Sequence, residues 1–263
     1  MKIEEIQAKK SLGQNFLKDE NILQKIKDSV KVTDKDLIIE IGLGMGALTK
    51  YLVNKGCDYL GYEIDERMRP YLANFASENK RIIFADFLKR DLKADISSTY
   101  QHIYVIANIP YYITTPIIEH IINNLDVDEM VLLVQKEVAN RFTAVPGSSD
   151  YGYFTVLLNH YFVVEKLFDV SPTSFFPSPK VVSSVVKFTK KQSIWEVNIE
   201  SFQKFVKQIF AQKRKTLKNN LKMYDFRIVL EILQEFHYSS TVRAEELSYE
   251  VIMKLYQRLV LKH

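Results

Sequence analysis

Up to about residue 190 the chain alternates short apolar runs with segments of helical spacing, and that rhythm leaves few folds open. The runs are D-L-I-I-E-I-G (36–42), D-Y-L-G-Y-E-I-D (58–65), R-I-I-F-A-D (81–86), H-I-Y-V-I-A-N (102–108) and E-M-V-L-L-V-Q (129–135). Several end in an acid or an amide. Between them, segments such as 47–54 and 66–77 carry helical spacing. The alternation predicts an α/β fold, a parallel sheet covered by helices on both faces. Further strands are expected at 163–170 and 181–189. After Gln192 only helical spacing remains, with Phe202, Phe205, Val206, Ile209 and Phe210 on one apolar face. Two domains are therefore expected, 1–192 and a small all-helical 193–263, with a soft boundary near 190–197.

The bulk properties remove several classes of function. With 263 residues, 47% apolar and 26% charged, the chain can bury a substantial core. Cys57 is the only cysteine, so an internal disulfide and a cysteine-rich metal site are both excluded. The polar start M-K-I-E-E-I-Q-A-K-K does not read as a secretory signal, and no apolar stretch nears the roughly 20 residues of a membrane span. A cytoplasmic protein without membrane or metal is expected. No self-complementary apolar surface is evident, so a monomer is expected as well.

In open parallel sheets, functional residues gather at the carboxyl ends of the strands. Directly after the first run comes E-I-G-L-G-M-G, Glu40 to Gly46. Its three glycines permit a sharp turn and a close approach of backbone to ligand before a helix begins. Glu63 ends the second run, where a carboxylate can accept both hydroxyls of a ribose. Asp86 ends the third, placed to meet an adenine edge. Each acid alone reads as a turn residue or helix cap; the three strand ends together describe a nucleoside cradle. A dinucleotide would call for G-x-G-x-x-G and a hydride-transfer partner. The order here, E-x-G-x-G-x-G, points instead to S-adenosylmethionine.

A-N-I-P-Y-Y-I-T-T-P, 107–116, follows the fourth run, beside that cradle. N-I-P-Y resembles the [D/N]-P-P-[Y/F] motif of methyltransferases that act on amino nitrogens of bases. The exocyclic nitrogen of adenine is a poor nucleophile because its lone pair is delocalised into the ring. If the Asn108 side-chain oxygen and the Ile109 carbonyl each accept an amine hydrogen, the nitrogen is drawn towards a tetrahedral shape. Its lone pair then points at the methyl donor. Pro110 stiffens the backbone of the residue before it, and Tyr111 offers a flat surface to the base. Catalysis would rest on alignment and on acceptors aimed at developing positive charge. A base within a helix cannot reach such a pocket, so the target must be unpaired or flipped out. Phe175 or Phe176, in S-P-T-S-F-F-P-S-P-K-V (171–181), is expected to cover the second face of the base, with Phe175 assigned to the catalytic set.

The chain resembles the small-subunit ribosomal RNA adenine dimethyltransferases, the KsgA type. The resemblance rests on K-K-S-L-G-Q-N-F-L (9–17), E-I-G-L-G-M-G (40–46), N-I-P-Y (108–111) and Q-K-E-V-A-N-R (135–141). Further on it includes Y-G (151–152), F-F-P-S-P-K-V (175–181), K-R-K-T-L-K-N-N-L (213–221) and R-A-E-E-L (243–247). It implies a Rossmann-like S-adenosylmethionine-dependent methyltransferase sheet and dimethylation of two adjacent adenosines in the 3′-terminal hairpin loop of small-subunit rRNA. The implied partner is an immature 30S subunit late in ribosome biogenesis. The implied cofactor contacts are Asn15, Leu17, Gly42, Glu63, Asp86 and Asn108, with Gly44, Ile64 and Phe87 counted beside them. Asn15 and Leu17 fall in residues 1–18, a mobile basic arm able to close over the cofactor. Two positions depart from the family: Leu43, where proline is frequent, and Tyr112, where asparagine is common.

RNA binding has its own signal. From 204 to 222 there are seven basic residues, Lys204, Lys207, Lys213, Arg214, Lys215, Lys218 and Lys222, and no acid. A solvated helix face usually mixes signs, so this run points to phosphate. Two other functions fit part of the pattern. One is the erythromycin-resistance type of methyltransferase, acting on a large-subunit adenine; the other is a ribosome-assembly factor whose main role is binding.

Overall fold

The computed structural model describes residues 8–9, 12–96, 98–192 and 195–261. Two compact units emerge, one of residues 1–139 with 165–190, the other of 140–164 with 191–263. The helical unit is thus discontinuous, where a single cut near 190–197 was expected. Residues 140–164 group with the C-terminal helices because the helix Tyr153–Tyr161 buries Phe154, Leu157 and Leu158, and His160 meets Tyr249 and Phe202.

The strands are β1 (Phe16–Leu17), β2 (Leu37–Ile41), β3 (Asp58–Glu63), β4 (Lys80–Phe84), β5 (Ile103–Asn108) and β6 (Glu129–Gln135), followed by β7 (Phe162–Val170), β8 (Phe175–Phe176) and β9 (Ser183–Lys190), and all but the first three residues of β7 belong to the first unit. Seven of these form one sheet in the order β4-β3-β2-β5-β6-β9-β7. β4, β3, β2, β5 and β6 are mutually parallel, and β9 runs antiparallel to β6. Every residue of β2 is buried, as expected of a central parallel strand covered on both faces. β1 and β8 make a separate antiparallel pair.

The expected strands are present within a few residues of their expected ends. The helix expected over 66–77 is instead three short turns, Glu66–Met68, Arg69–Leu72 and Ala73–Phe75. Pro70 explains the break: it has no N–H to give to the carbonyl four residues earlier. In the second unit, the helix Ile199–Ile209 buries Phe202, Phe205, Val206 and Ile209 as its spacing predicts, while Phe210 is only half-buried. Among the described residues no helix is long and apolar enough to cross a membrane.

Candidate active site

β2 and β5 lie side by side, yet the chain continues from β2 towards β3 and β4 on one side, and from β5 towards β6 on the other. At such a reversal the segments leaving the strand ends diverge, and a crevice opens between them. The glycine loop leaves β2 here, and N-I-P-Y leaves β5. The register keeps the ends level: Ile41 lies opposite Tyr62 and Ala107, and Glu63 opposite Phe84.

Gly42 and Gly44 have φ of 77° and 54°, a region costly for any residue with a Cβ. A Cβ at Gly42 would stand 3.4 Å from the Asn108 carbonyl oxygen, and one at Gly44 3.0 Å from the Phe16 ring. The loop backbone therefore passes close to the N-I-P-Y turn. Glu63 is buried, and its two oxygens accept the N–H of Gly44 at 2.7 Å and of Asp65 at 2.8 Å. Burial pushes its carboxyl above the ordinary range, and those backbone donors oppose the shift. An ionised carboxylate offers about four acceptor positions, so Glu63 keeps capacity for a hydroxyl beyond these backbone donors.

Asn108 is oriented by the arm: its Nδ2 donates to the Asn15 carbonyl at 3.1 Å. That contact uses the amide nitrogen and leaves Oδ1 as an acceptor. Pro110 sits at φ −55° and ψ 128°, and Ile109 is buried. The Tyr111 hydroxyl is 2.6 Å from Ser183 Oγ, at the start of β9, which fixes the ring from its far end. Burial raises the Tyr111 hydroxyl above its usual pKa, so it stays neutral in ordinary buffers.

Two cavities flank the glycine loop. One of about 300 Å³ runs along it past Leu17, Glu40 and Tyr71 to Asn108. The other, about 70 Å³, gathers Asn15, Gly42, Gly44, Glu63, Ile64 and Asn108 to Tyr111. The arm lines the smaller one from Leu12 to Phe16. Of the arm expected over 1–18, residues 1–7, 10 and 11 lie outside the described residues. The part described makes specific contacts. Phe16 and Leu17 pair with Phe176 and Phe175, and Lys9 and Gln14 reach the Asp65 carboxylate at 3.4 and 2.9 Å. Arg67 beside Asp65 is the main reason that its carboxyl is held far below the usual range, with Gln14 and Lys9 adding to the effect.

Not every expected residue lines the two cavities. Asp86 stands next to the end of β4, but its Oδ1 caps the following turn by accepting the Leu88 N–H at 3.1 Å. Phe87 is buried edge-on against Tyr62 and His120, with centroids 5.0 and 5.4 Å apart, and lines neither cavity. Phe175 is corrected as a stacking residue: its ring is 2% exposed within the core of Leu17, Leu23 and Val170, so it has no face to offer. Pairing through β1 alternates the side chains, and Phe176 is the half-exposed one.

The two departures have different surroundings. Leu43 is buried with Phe16, Met68 and Leu72, and its methyls fill the space beside Gly61 that a Cβ would take. Packing anchors the loop where a proline would stiffen it. Tyr112 is 62% exposed and lies against Gly13 of the arm. Sequence reasoning missed Gln14, Asp65 and Ser183. The acid ending Y-E-I-D was a visible signal for Asp65; nothing local pointed to Ser183.

The seven basic residues of 204–222 are all exposed, in the helical unit. Lys207 lies 4.9 Å over the Tyr153 ring and Lys218 5.4 Å over Phe226, while Lys213 donates to the Ser149 carbonyl. Among the described residues no cluster of three or more His, Cys, Asp or Glu could hold a metal ion.

Known proteins share this architecture. A ribosomal RNA small subunit methyltransferase A of Aster yellows witches'-broom phytoplasma (strain AYWB) is 41% identical over 254 residues, covering 94% of each chain. The crystal structure of a dimethyladenosine transferase from Plasmodium falciparum aligns over 92% of this chain and 96% of that one, with a TM-score of 0.78 and 27% identity. A 23S rRNA methyltransferase, ErmE, covers 93% of this chain and 99% of its own at TM-score 0.72 and 23% identity, a likeness of fold alone. The family described as ribosomal RNA adenine dimethylase matches residues 5–260. That match reaches into both units, and the chain belongs to the ribosomal RNA adenine dimethylase family.

Proposed function

We propose that the protein dimethylates the exocyclic amines of two adjacent adenosines in the 3′-terminal hairpin loop of small-subunit rRNA, with S-adenosylmethionine as donor. The reading rests above all on one juxtaposition: the Asn108 carbonyl oxygen stands 3.4 Å from where a Gly42 Cβ would be, so the amine-binding turn and the glycine loop share one crevice. The small-subunit target follows the name of the phytoplasma relative.

The residues present fit the cofactor. Glu63 would take the ribose hydroxyls with the acceptor capacity that its backbone donors leave open. Gly42 and Gly44 give the loop positive φ angles that residues with a Cβ rarely adopt, and at Gly44 a Cβ would also crowd the Phe16 ring. Asp86 would receive the adenine amine beside its cap, while Asn15, Leu17 and Ile64 would wall the site. When bound, S-adenosylmethionine supplies a methyl group on a positively charged sulfur. Asn108 Oδ1 and the Ile109 carbonyl accept the two amine hydrogens and turn the nitrogen lone pair out of the ring plane. Tyr111, steadied by Ser183, supports one face of the base, and Phe176 replaces Phe175 as the candidate for the other. The methylated nitrogen is cationic and sheds its proton readily, so no strong base is needed. The exposed basic run 204–222 would hold RNA phosphates.

Methyl transfer from labelled cofactor to undermethylated small subunits tests the proposal. Asn108→Ala is expected to lower the rate about 10²- to 10³-fold, the scale seen when one preorganised polar contact to developing charge is lost. Full activity in that variant removes the mechanism. Primer extension across both rRNAs separates this reading from an erythromycin-resistance activity, because only a small-subunit stop agrees with it.

A further inference from the structure

Asp86 leads a segment with little stability of its own. A three-residue turn, Phe87–Lys89, and a four-residue helix, Leu92–Asp95, make up most of 86–95. Elements this short do not hold themselves by backbone bonds alone. They follow β4, the strand at one edge of the sheet. What fixes Asp86 must therefore come from side chains, and two sets of contacts supply it.

The first set gathers on Asp95, which is 7% exposed. Its carboxylate accepts from Arg90 twice, from Nε at 2.9 Å and from Nη2, and from the Tyr62 hydroxyl at 3.0 Å. Its carbonyl accepts from Arg81 at 2.5 Å. Arg90 is the main reason that this carboxyl lies below the ordinary range. Tyr62 and Arg81 belong to β3 and β4, so this set ties the segment to the strands beside it.

The second set comes from the helix Thr114–Asn124. His120 packs edge-on against Phe87, and its Nε2 stands 3.2 Å from the Arg90 carbonyl. Asn124 Nδ2 donates to the His120 carbonyl at 2.8 Å and lies 3.2 Å from His120 Nδ1. An amide nitrogen only donates, so Nδ1 is the acceptor and Nε2 carries the proton that goes to Arg90. The same helix begins where the N-I-P-Y turn ends, and Thr114 Oγ1 donates to the Tyr111 carbonyl at 3.3 Å. Ile117, Ile118 and Ile121 bury its inner face. One rigid element thus carries His120 against the Asp86 turn at one point and adjoins N-I-P-Y at its start. Asp86 Oδ1 is occupied by the Leu88 N–H, while the nearest cation to Oδ2 is the exposed Lys89 at 3.6 Å. The reaction proposed above leaves His120 without a task.

We infer that His120 is a positioning residue for the adenine of the cofactor. Through the Phe87 ring and the Arg90 carbonyl it holds the Asp86 turn at a fixed offset from N-I-P-Y, so that Asp86 Oδ2 accepts the adenine amine. The inference rests on the S-adenosylmethionine reading given above.

Two ligands test it without RNA: S-adenosylhomocysteine, which is the cofactor less its methyl, and S-inosylhomocysteine, which has a keto oxygen in place of the amine. Calorimetry gives their affinities for the unmodified protein, Asp86→Ala, His120→Phe, His120→Gln and the double variant Asp86→Ala with His120→Phe. The unmodified protein should prefer the adenosyl ligand. His120→Phe keeps a ring against Phe87 and removes the donor. Its adenosyl affinity should fall about three- to tenfold, the range of one hydrogen bond, with inosyl affinity unchanged. His120→Gln can donate to the same carbonyl and should recover part of the preference. In the Asp86→Ala background, His120→Phe should have no further effect, because residues that act through one another are not additive. A merely structural His120 would weaken both ligands alike and lower the melting temperature in step. That result overturns the inference, as does an unchanged preference in His120→Phe or additivity with Asp86→Ala. If the unmodified protein binds neither ligand, the cofactor reading fails and the inference falls with it. If it binds both equally well, the cofactor reading stands and the inference alone fails.

Discussion

Two carboxylates near the glycine loop differ in what surrounds them. Glu63 is held by backbone donors, among them Gly44 and Asp65, whereas Glu40, in β2, is 1% exposed and accepts from the Tyr59 hydroxyl at 2.5 Å. Burial pushes the Glu40 carboxyl up to about 8, with the Tyr59 and Thr49 hydroxyls opposing and the nearby Glu63 adding to the rise. In the unfolded chain it ionises near its ordinary value of about 4.5. Between those values unfolding releases a proton, so this group's contribution to stability falls as pH rises. The limiting slope is about 1.4 kcal/mol per pH unit. Glu40→Gln keeps the shape without the charge, and thermal melts from pH 5 to pH 8 should show a flatter decline than those of the unmodified protein. Equal slopes would mean that Glu40 is not the titrating group. None of this is legible in E-I-G-L-G-M-G, because burial depends on the strands on either side.

At the scale of the element, the glycine loop is held from two directions. Phe16 of β1 covers Gly44, and Leu43 is seated in the space beside Gly61 of β3. A Cβ at Gly61 would stand 2.7 Å from the Leu43 Cδ2 and 2.9 Å from the Tyr59 hydroxyl, which is itself tied to Glu40. Gly61→Ala should therefore cost about 1–3 kcal/mol, the usual range for overpacking. The smaller Leu43→Val side chain should recover part of that loss when the two substitutions are combined. Denaturant midpoints of the single and double variants give the coupling, and strict additivity would show that the two positions do not touch. The strand ends were legible because each apolar run stops at a glycine, an acid or an amide. The seat of Leu43 was not, since residues 43 and 61 meet only across the sheet.

For the molecule as a whole, the discontinuous helical unit has a consequence for dissection. A chain stopped at Gln192 keeps the helix Tyr153–Tyr161 but loses Phe202 and Tyr249, which contact its His160. Such a fragment should aggregate or melt well below the full chain, and size-exclusion chromatography with thermal melts decides it; a monodisperse fragment of undiminished stability would contradict the unit boundaries. The exposed basic run predicts a second global property. Replacing Lys204, Lys215 and Lys218 by alanine should make the salt slope of RNA binding shallower by about 2.1–2.7 if all three meet phosphates, at about 0.7–0.9 per contact. An unchanged slope would move the RNA elsewhere.

The sequence alone determined the parallel sheet, its strand limits, the glycine loop, Glu63 and the N-I-P-Y turn, because apolar periodicity and turn chemistry are local and survive in a one-dimensional reading. Only the tertiary structure decided that Phe175 is core while Phe176 is half-exposed, that Asp86 caps a turn, that Asp65 grips the arm and Ser183 the Tyr111 hydroxyl, and that 140–164 joins the C-terminal helices. Each of those outcomes depends on which distant segment covers a given side chain. An amphipathic pattern states that a face is buried without stating against what.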